Sequence, residues 1–252
     1  LPGFPFAPHY TEVPDGDGGT LRMHHVDEGD ADAPIVLCMH GQPTWSYLYR
    51  HMIPLLTGAG LRVLVPDLVG YGRSDKPTRL EDYSYQRQVD WTTAWLKAND
   101  VKGATFFGQD WGGLIGLRVV AENPERFDRV AIANTGLPVP QALPEAVIAE
   151  IKRFRAEDPT PSLPEVMQAL GNPDKKPFPQ VFAYWQKWCW ESEDLPVGLA
   201  VTGALDGRAA SPEETAAYDA PFPDPSYKMG PRAMPSQVPT LPGDPSEEAN
   251  MA

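Results

Sequence analysis

Across residues 21–134, short apolar runs alternate with longer stretches of helical periodicity. That rhythm limits the possible folds more than any other feature of the chain. It is the βαβ signature of a mostly parallel sheet covered by helices on both faces. The apolar runs at 35–39, 62–65, 105–107 and 130–133 are expected strands, each too short and too apolar for an exposed strand. Helical periodicity falls on 84–98 and 112–121, and the Asn123-Pro124 pair ends the second of these. After residue 137 the rhythm stops and prolines crowd in. The chain holds 29 prolines, about twice the ~5% average, and such a segment suits short helices joined by loops. The expected organisation is a main domain over 1–136, an inserted helical cap over 137–232, and a return toward the main domain over 233–252. Residues 235–252 are polar and proline-rich enough for a loose tail.

Size and composition fit that plan. A chain of 252 residues, 42% hydrophobic, suits one large α/β core with an insertion. A formal net charge of −13 argues against nucleic acid and against anionic membrane surfaces, both of which recruit clustered Lys and Arg. Cys38 and Cys189 are the only cysteines, so a disulfide framework is not expected and a reducing cytoplasm is compatible. No metal-type spacing occurs. No stretch nears the ~18 apolar residues that span a bilayer, and the opening Leu1-Pro2-Gly3 is not a leader.

Chemistry concentrates at Gly108-Gln109-Asp110-Trp111-Gly112. This segment joins an expected strand to an expected helix and resembles the nucleophile elbow of α/β-hydrolases, with Asp in place of Ser. By itself Asp110 also suits a helix N-cap. Upstream, however, the strand at 35–39 runs into His40-Gly41-Gln42-Pro43, where such a fold places a second oxyanion donor. Between the two lies the glycine-rich loop of residues 67–77, read here as structural. A carboxylate is ionised at neutral pH without help and can displace a leaving group at saturated carbon. Water must then attack the carbonyl of the resulting ester, and the backbone N–H groups of Gln42 and Trp111 are the expected oxyanion donors.

The segments from His40 to Arg50 (HGQPTWSYLYR) and from Gln109 to Gly113 (QDWGG) resemble haloalkane dehalogenases, as do residues 1–10 and 217–223. The resemblance is to the branch with a tryptophan pair at the halide site, and it implies the α/β-hydrolase fold. It further implies a small halogenated hydrocarbon as substrate, halide and alcohol as products, water as co-substrate, and no metal or organic cofactor. A cytoplasmic monomer or weak homo-oligomer is the matching expectation. One halide donor then maps onto Trp111. The other belongs to a cap helix, where Trp185, Trp188 and Trp190 compete, and the resemblance favours Trp185. Indoles suit this task because they donate an N–H and accept nothing.

The family also needs a histidine after the last strand and an acid to orient it. All five histidines, His9, His24, His25, His40 and His51, precede the elbow, and the earlier acid position holds Asn134-Thr135. Both groups are therefore expected after Ala252, together with C-terminal strands and a helix that would cover the sheet. This argues for a piece of a longer protein, with a naturally shortened relative as the alternative. Two other functions stay open. An epoxide hydrolase shares the Asp nucleophile and uses two cap tyrosines, for which Tyr184 and Tyr218 are candidates. A catalytically incomplete binding protein would explain the missing histidine.

Overall fold

The computed structural model describes residues 1–140, 142–171, 176–203 and 209–252. Its sheet has six strands, β1 (His9–Pro14), β2 (Thr20–Glu28), β3 (Ile35–Met39), β4 (Arg62–Pro66), β5 (Ala104–Gln109) and β6 (Phe127–Ala133), in the order β1-β2-β4-β3-β5-β6. β1 and β2 pair antiparallel, as do β2 and β4, while β3, β4, β5 and β6 run parallel. Helices α1 (Met52–Gly58), α2 (Tyr85–Ala98) and α3 (Trp111–Glu122) connect the parallel strands. From β3 the chain moves outward to β4 and then crosses back over β3 to reach β5. This reversal opens a crevice beyond the carboxyl ends of β3 and β5, the usual place for a ligand in an open α/β sheet.

All four expected strands and both expected helices are present, with ends shifted by a few residues. β1 and β2 escape the sequence reading because their residues, HYTEVP and TLRMHHVDE, mix charge and imidazole with apolar groups. The structure nevertheless buries Met23, His24, His25 and Val26. His25 is accommodated by accepting from Trp95 Nε1 of α2 at 3.3 Å. The exclusion of exposed strands needs correcting at β6. This edge strand is exposed along most of its length, with Val130 at 48% and Ile132 at 47%. β6 pairs with β5 alone and packs little against any helix, so its apolar residues face solvent.

The segment after β6 is helical: α4 (Glu145–Glu157), α5 (Leu163–Leu170), α6 (Phe178–Glu191), α7 (Val197–Thr202), α8 (Pro212–Asp219) and α9 (Met229–Ala233). Polar contacts fasten it to the turns that follow β3. Arg50 forms a buried ion pair with Glu214 of α8, lies 4.1 Å above the Tyr47 ring, and donates to Tyr218 Oη at 3.3 Å. Trp45 Nε1 donates to the Ala217 carbonyl at 3.2 Å. The expected loose tail is instead packed. Leu241 is fully buried, Asp244 accepts from the N–H groups of Thr240 and Leu241, and the last helix, α10 (Glu247–Met251), sends Asn250 Nδ2 to the Pro138 carbonyl at 2.8 Å. Side-chain caps and one buried leucine hold a segment whose composition alone suggested disorder.

Candidate active site

The elbow follows from two glycines and one strained residue. Asp110 has φ 52° and ψ −130°, a conformation costly for a residue with a Cβ. The strain is borne because β5 must turn at once into α3. A Cβ on Gly112 would lie 2.1 Å from the Met39 carbonyl oxygen, so only glycine lets α3 start against the exit of β3. A Cβ on Gly41 would lie 2.3 Å from Asp110 Cβ, so the turn after β3 can approach the carboxylate only without a side chain there.

That approach delivers the Gln42 N–H to Asp110 Oδ1 at 2.7 Å. The Asp110 carboxylate makes no helix-capping hydrogen bond, which removes the bland explanation of this residue. Burial pushes its carboxyl above the ordinary carboxylate value, and hydrogen bonds from the backbone N–H groups of Trp111 and Gln42 oppose that shift by favouring the ionised form. The Gln42 side chain does separate work, donating through Nε2 to the Pro231 carbonyl of α9 at 2.8 Å.

His40 is a structural member of the turn. Its Nδ1 lies 2.9 Å from the Gly41 carbonyl and its Nε2 accepts from the Leu68 N–H at 3.0 Å, which requires the neutral imidazole. Burial pushes its pKa below the ordinary histidine value. Beneath it, the fully buried Asp67 follows β4 and accepts from Ser46 N at 2.7 Å, His24 Nδ1 at 2.8 Å and Arg73 N at 2.8 Å. The loop of residues 67–77 is tied down through that one carboxylate.

A cavity of about 260 Å³ opens in front of Asp110, lined by Gln42, Trp111, Leu114, Phe182 and Trp185 among others. Trp111 is held edge-on by Tyr85, with ring centroids 5.0 Å apart. Among the described residues, no acceptor takes the indole N–H of either Trp111 or Trp185. Trp188 is buried 5.4 Å behind Trp185, and Trp190 packs on the core without lining the cavity. Neither candidate epoxide tyrosine reaches the site: Tyr184 stacks on Phe154 at 4.5 Å, and Tyr218 donates no contact to Asp110 but takes the Arg50 guanidinium. None of the five histidines lines the cavity. Among the described residues no group of His, Cys, Asp or Glu is arranged to hold a metal ion.

Sequence reasoning passed over Phe178, Phe182, Leu114 and Val238, which form much of the apolar wall. It named Thr135 only as part of the earlier acid position, which lacks an acid, and gave it no contact; in the structure its Oγ1 donates to the Asp110 carbonyl at 2.7 Å. The β5–β6 register, Gln109 opposite Ala133, is the signal that places Thr135 beside the elbow.

A family model described as the alpha/beta hydrolase fold matches residues 34–196. The haloalkane dehalogenase of Mycolicibacterium paratuberculosis is 44% identical over 250 residues, covering 99% of this chain and 71% of that protein. The chain belongs to the haloalkane dehalogenase family. Another haloalkane dehalogenase, from Psychrobacter cryohalolentis, is 44% identical over 252 residues, which is 100% of this chain and 72% of its relative. Among solved haloalkane dehalogenases, that of Paraglaciecola agarilytica NO2, described as tetrameric, matches with a TM-score of 0.77 at 33% identity, over 100% of this chain and 72% of its own. That of Bradyrhizobium elkani USDA94 matches with a TM-score of 0.68 at 26% identity, over 98% of this chain and 74% of its own. Haloalkane dehalogenases are hydrolases acting on carbon–halide bonds, so the family and the cavity in front of Asp110 point to one chemistry.

Proposed function

We propose that this chain performs the chemistry of hydrolytic haloalkane dehalogenation with Asp110 as nucleophile. One observation carries the reading: a carboxylate held by the Gln42 N–H at 2.7 Å faces a largely apolar cavity lined by Trp111 and Trp185, whose indole N–H groups meet no acceptor among the described residues. A carboxylate oxygen of Asp110 forms a bond to the halogen-bearing carbon while the carbon–halogen bond breaks, and the halide leaves with the bonding pair. The indole N–H groups of Trp111 and Trp185 receive that anion, because donors without lone pairs suit a charge emerging among apolar walls. Hydrolysis, in which water adds to the ester carbonyl of Asp110, the backbone N–H groups of Gln42 and Trp111 stabilise the oxyanion, and collapse releases alcohol and a proton, calls for a general base, and none of the five histidines supplies one at the cavity. Loss of one such donor costs about 3 kcal/mol of barrier.

In this reading residues 1–136 form the main domain, 137–232 act as a cap over Asp110, and 233–252 lead back toward the sheet. The substrate is a small uncharged halogenated hydrocarbon, since among the described residues no cation lines the cavity to greet an acid. Two free buried thiols, Cys38 and Cys189, suit a reducing cytoplasm. The positions of Tyr184 and Tyr218 favour halide over epoxide as the leaving group.

Exposure to 1-bromobutane followed by intact-mass measurement tests the proposal. The expected result is one butyl group per chain, mapped to Asp110 and retained, because ester hydrolysis needs a base and no histidine lines the cavity. An Asp110→Asn variant should gain no mass. Folded parent protein without an adduct would sink the proposal and favour a binding protein. For the halide site, Trp185→Phe is expected to weaken bromide binding, read as quenching of tryptophan fluorescence; an unchanged quenching curve removes Trp185 from it.

A further inference from the structure

The first carbonyl of α3 belongs to the nucleophile itself, and it is unusually well held. Asp110 O accepts from Gly113 N at 2.9 Å, from Leu114 N at 3.1 Å, and from Thr135 Oγ1 at 2.7 Å. The first two bonds are those of any helix start. The third comes from a loop two residues beyond β6, where Asn134 takes a left-handed backbone, φ 49°, that turns the chain toward the elbow. Thr135 is seated closely, since a Cβ on Gly113 would lie 2.2 Å from both its Oγ1 and its Cγ2.

This third bond bears on the chemistry through peptide geometry. In a planar trans peptide the C=O and the next N–H point in opposite directions. The Asp110 carbonyl and the Trp111 N–H share one such plane, so anchoring the oxygen on the Thr135 side aims the N–H back at the Asp110 carboxylate. The Trp111 N–H is in turn among the groups that favour the ionised form of that carboxylate. Asp110 sits at φ 52° and ψ −130°, where the backbone has no favourable well of its own to hold this peptide in place. An outside tether is therefore the natural means of keeping it oriented.

We infer that Thr135 is a positioning residue for the nucleophile elbow: its hydroxyl fixes the Asp110–Trp111 peptide so that the Trp111 N–H faces the reacting carboxylate. The inference rests on the Asp110 reading only for its consequence in catalysis, since the geometry of the peptide stands by itself.

The test compares Thr135→Val, which keeps the shape and loses the hydroxyl, with Thr135→Ser, which keeps the hydroxyl and loses the methyl. Alkylation of the full chain by 1-bromobutane is expected to slow about tenfold in the valine variant and to recover to within about threefold of the parent in the serine variant. Bromide quenching of tryptophan fluorescence should not change in either. A second readout does not depend on alkylation. In ¹⁵N-labelled protein, the Trp111 amide proton shift should follow the Asp110 carboxyl with pH in the parent and the serine variant, with a smaller excursion in the valine variant. A valine variant that alkylates at the parental rate, or whose Trp111 amide titrates in full, overturns the inference. So does a serine variant as slow as valine, which would assign the effect to methyl packing against Gly113. If the valine variant does not fold, Thr135→Ala takes its place with the same readings. A parent that is not alkylated at all defeats the proposed function, and the amide titration then decides the inference alone.

Discussion

In the proposed reaction Asp110 has to be buried enough to exclude water from a carbon–halogen bond and ionised enough to attack it. Burial raises its pKa above the ordinary 3.8, with two backbone N–H groups opposing the shift. The alkylation rate should therefore fall on acidification with a midpoint above that of a free aspartate, measured as adduct formation against pH. The linkage has a definite sign. A raised folded pKa gives stability that is complete below the unfolded value and is lost as pH rises through the folded one. At neutral pH the charged Asp110 thus costs stability, and Asp110→Asn should raise the melting temperature, by about 2–4 °C if the relief is ~1 kcal/mol. Scanning calorimetry at pH 7 checks this, and a lowered melting temperature refutes it. Asp110, Gln42 and Trp111 are legible in the sequence because each sits in a short motif whose neighbours shape it. Trp185 needs the family resemblance, since three tryptophans on one helix present the same chemistry to a reader of the sequence. The place of Thr135 after β6 is legible but its hydrogen bond is not, because its partner lies across a strand register.

The elements show the same division between local and distant causes. The strands at 35–39 and 62–66 are read easily since they are buried on both faces, whereas β2 is hidden by His24 and His25, whose burial depends on partners elsewhere in the chain. The loop of residues 67–77 looks like glycine-rich punctuation. In three dimensions it is organised by Asp67, whose three partners come from residues 24, 46 and 73. Burial alone would raise the Asp67 pKa, but the hydrogen bond and charge of His24, helped by the Arg73 N–H, bring it well below the ordinary value. A depressed folded pKa contributes stability above the unfolded aspartate value that is lost as pH falls toward the folded one. Asp67→Asn should therefore destabilise the protein at pH 7 by about 3–5 kcal/mol, the range for breaking a buried charged pair, and should flatten the acid limb of its stability curve. Urea denaturation at several pH values measures both effects, and a variant as stable as the parent at pH 7 would show that the loop is held by other means.

At the scale of the whole molecule, the helical segment is bound to the sheet domain by Arg50–Glu214, Trp45 and Gln42, all reaching from the turns after β3. Its existence could be anticipated from the break in rhythm after residue 137, while its docking could not, because the contacts join positions more than a hundred residues apart. The opposite flank is bare. Among the described residues β6 has one neighbour, its outer N–H and C=O groups meet no further strand, and Val130 and Ile132 stand on one exposed face. An open rim of this kind can take up a strand from another molecule, and a net charge of −13 opposes the approach of like copies. Added salt screens that repulsion, so light scattering should grow with protein concentration and more steeply at 0.5 M NaCl than in dilute buffer, and Ile132→Lys should suppress the growth. Salt-independent scattering, or a lysine variant that clumps as readily, would place the sticky surface elsewhere. The rim at β6 thus gives the sheet a flank onto which one more strand can be hydrogen-bonded without disturbing its pairing with β5.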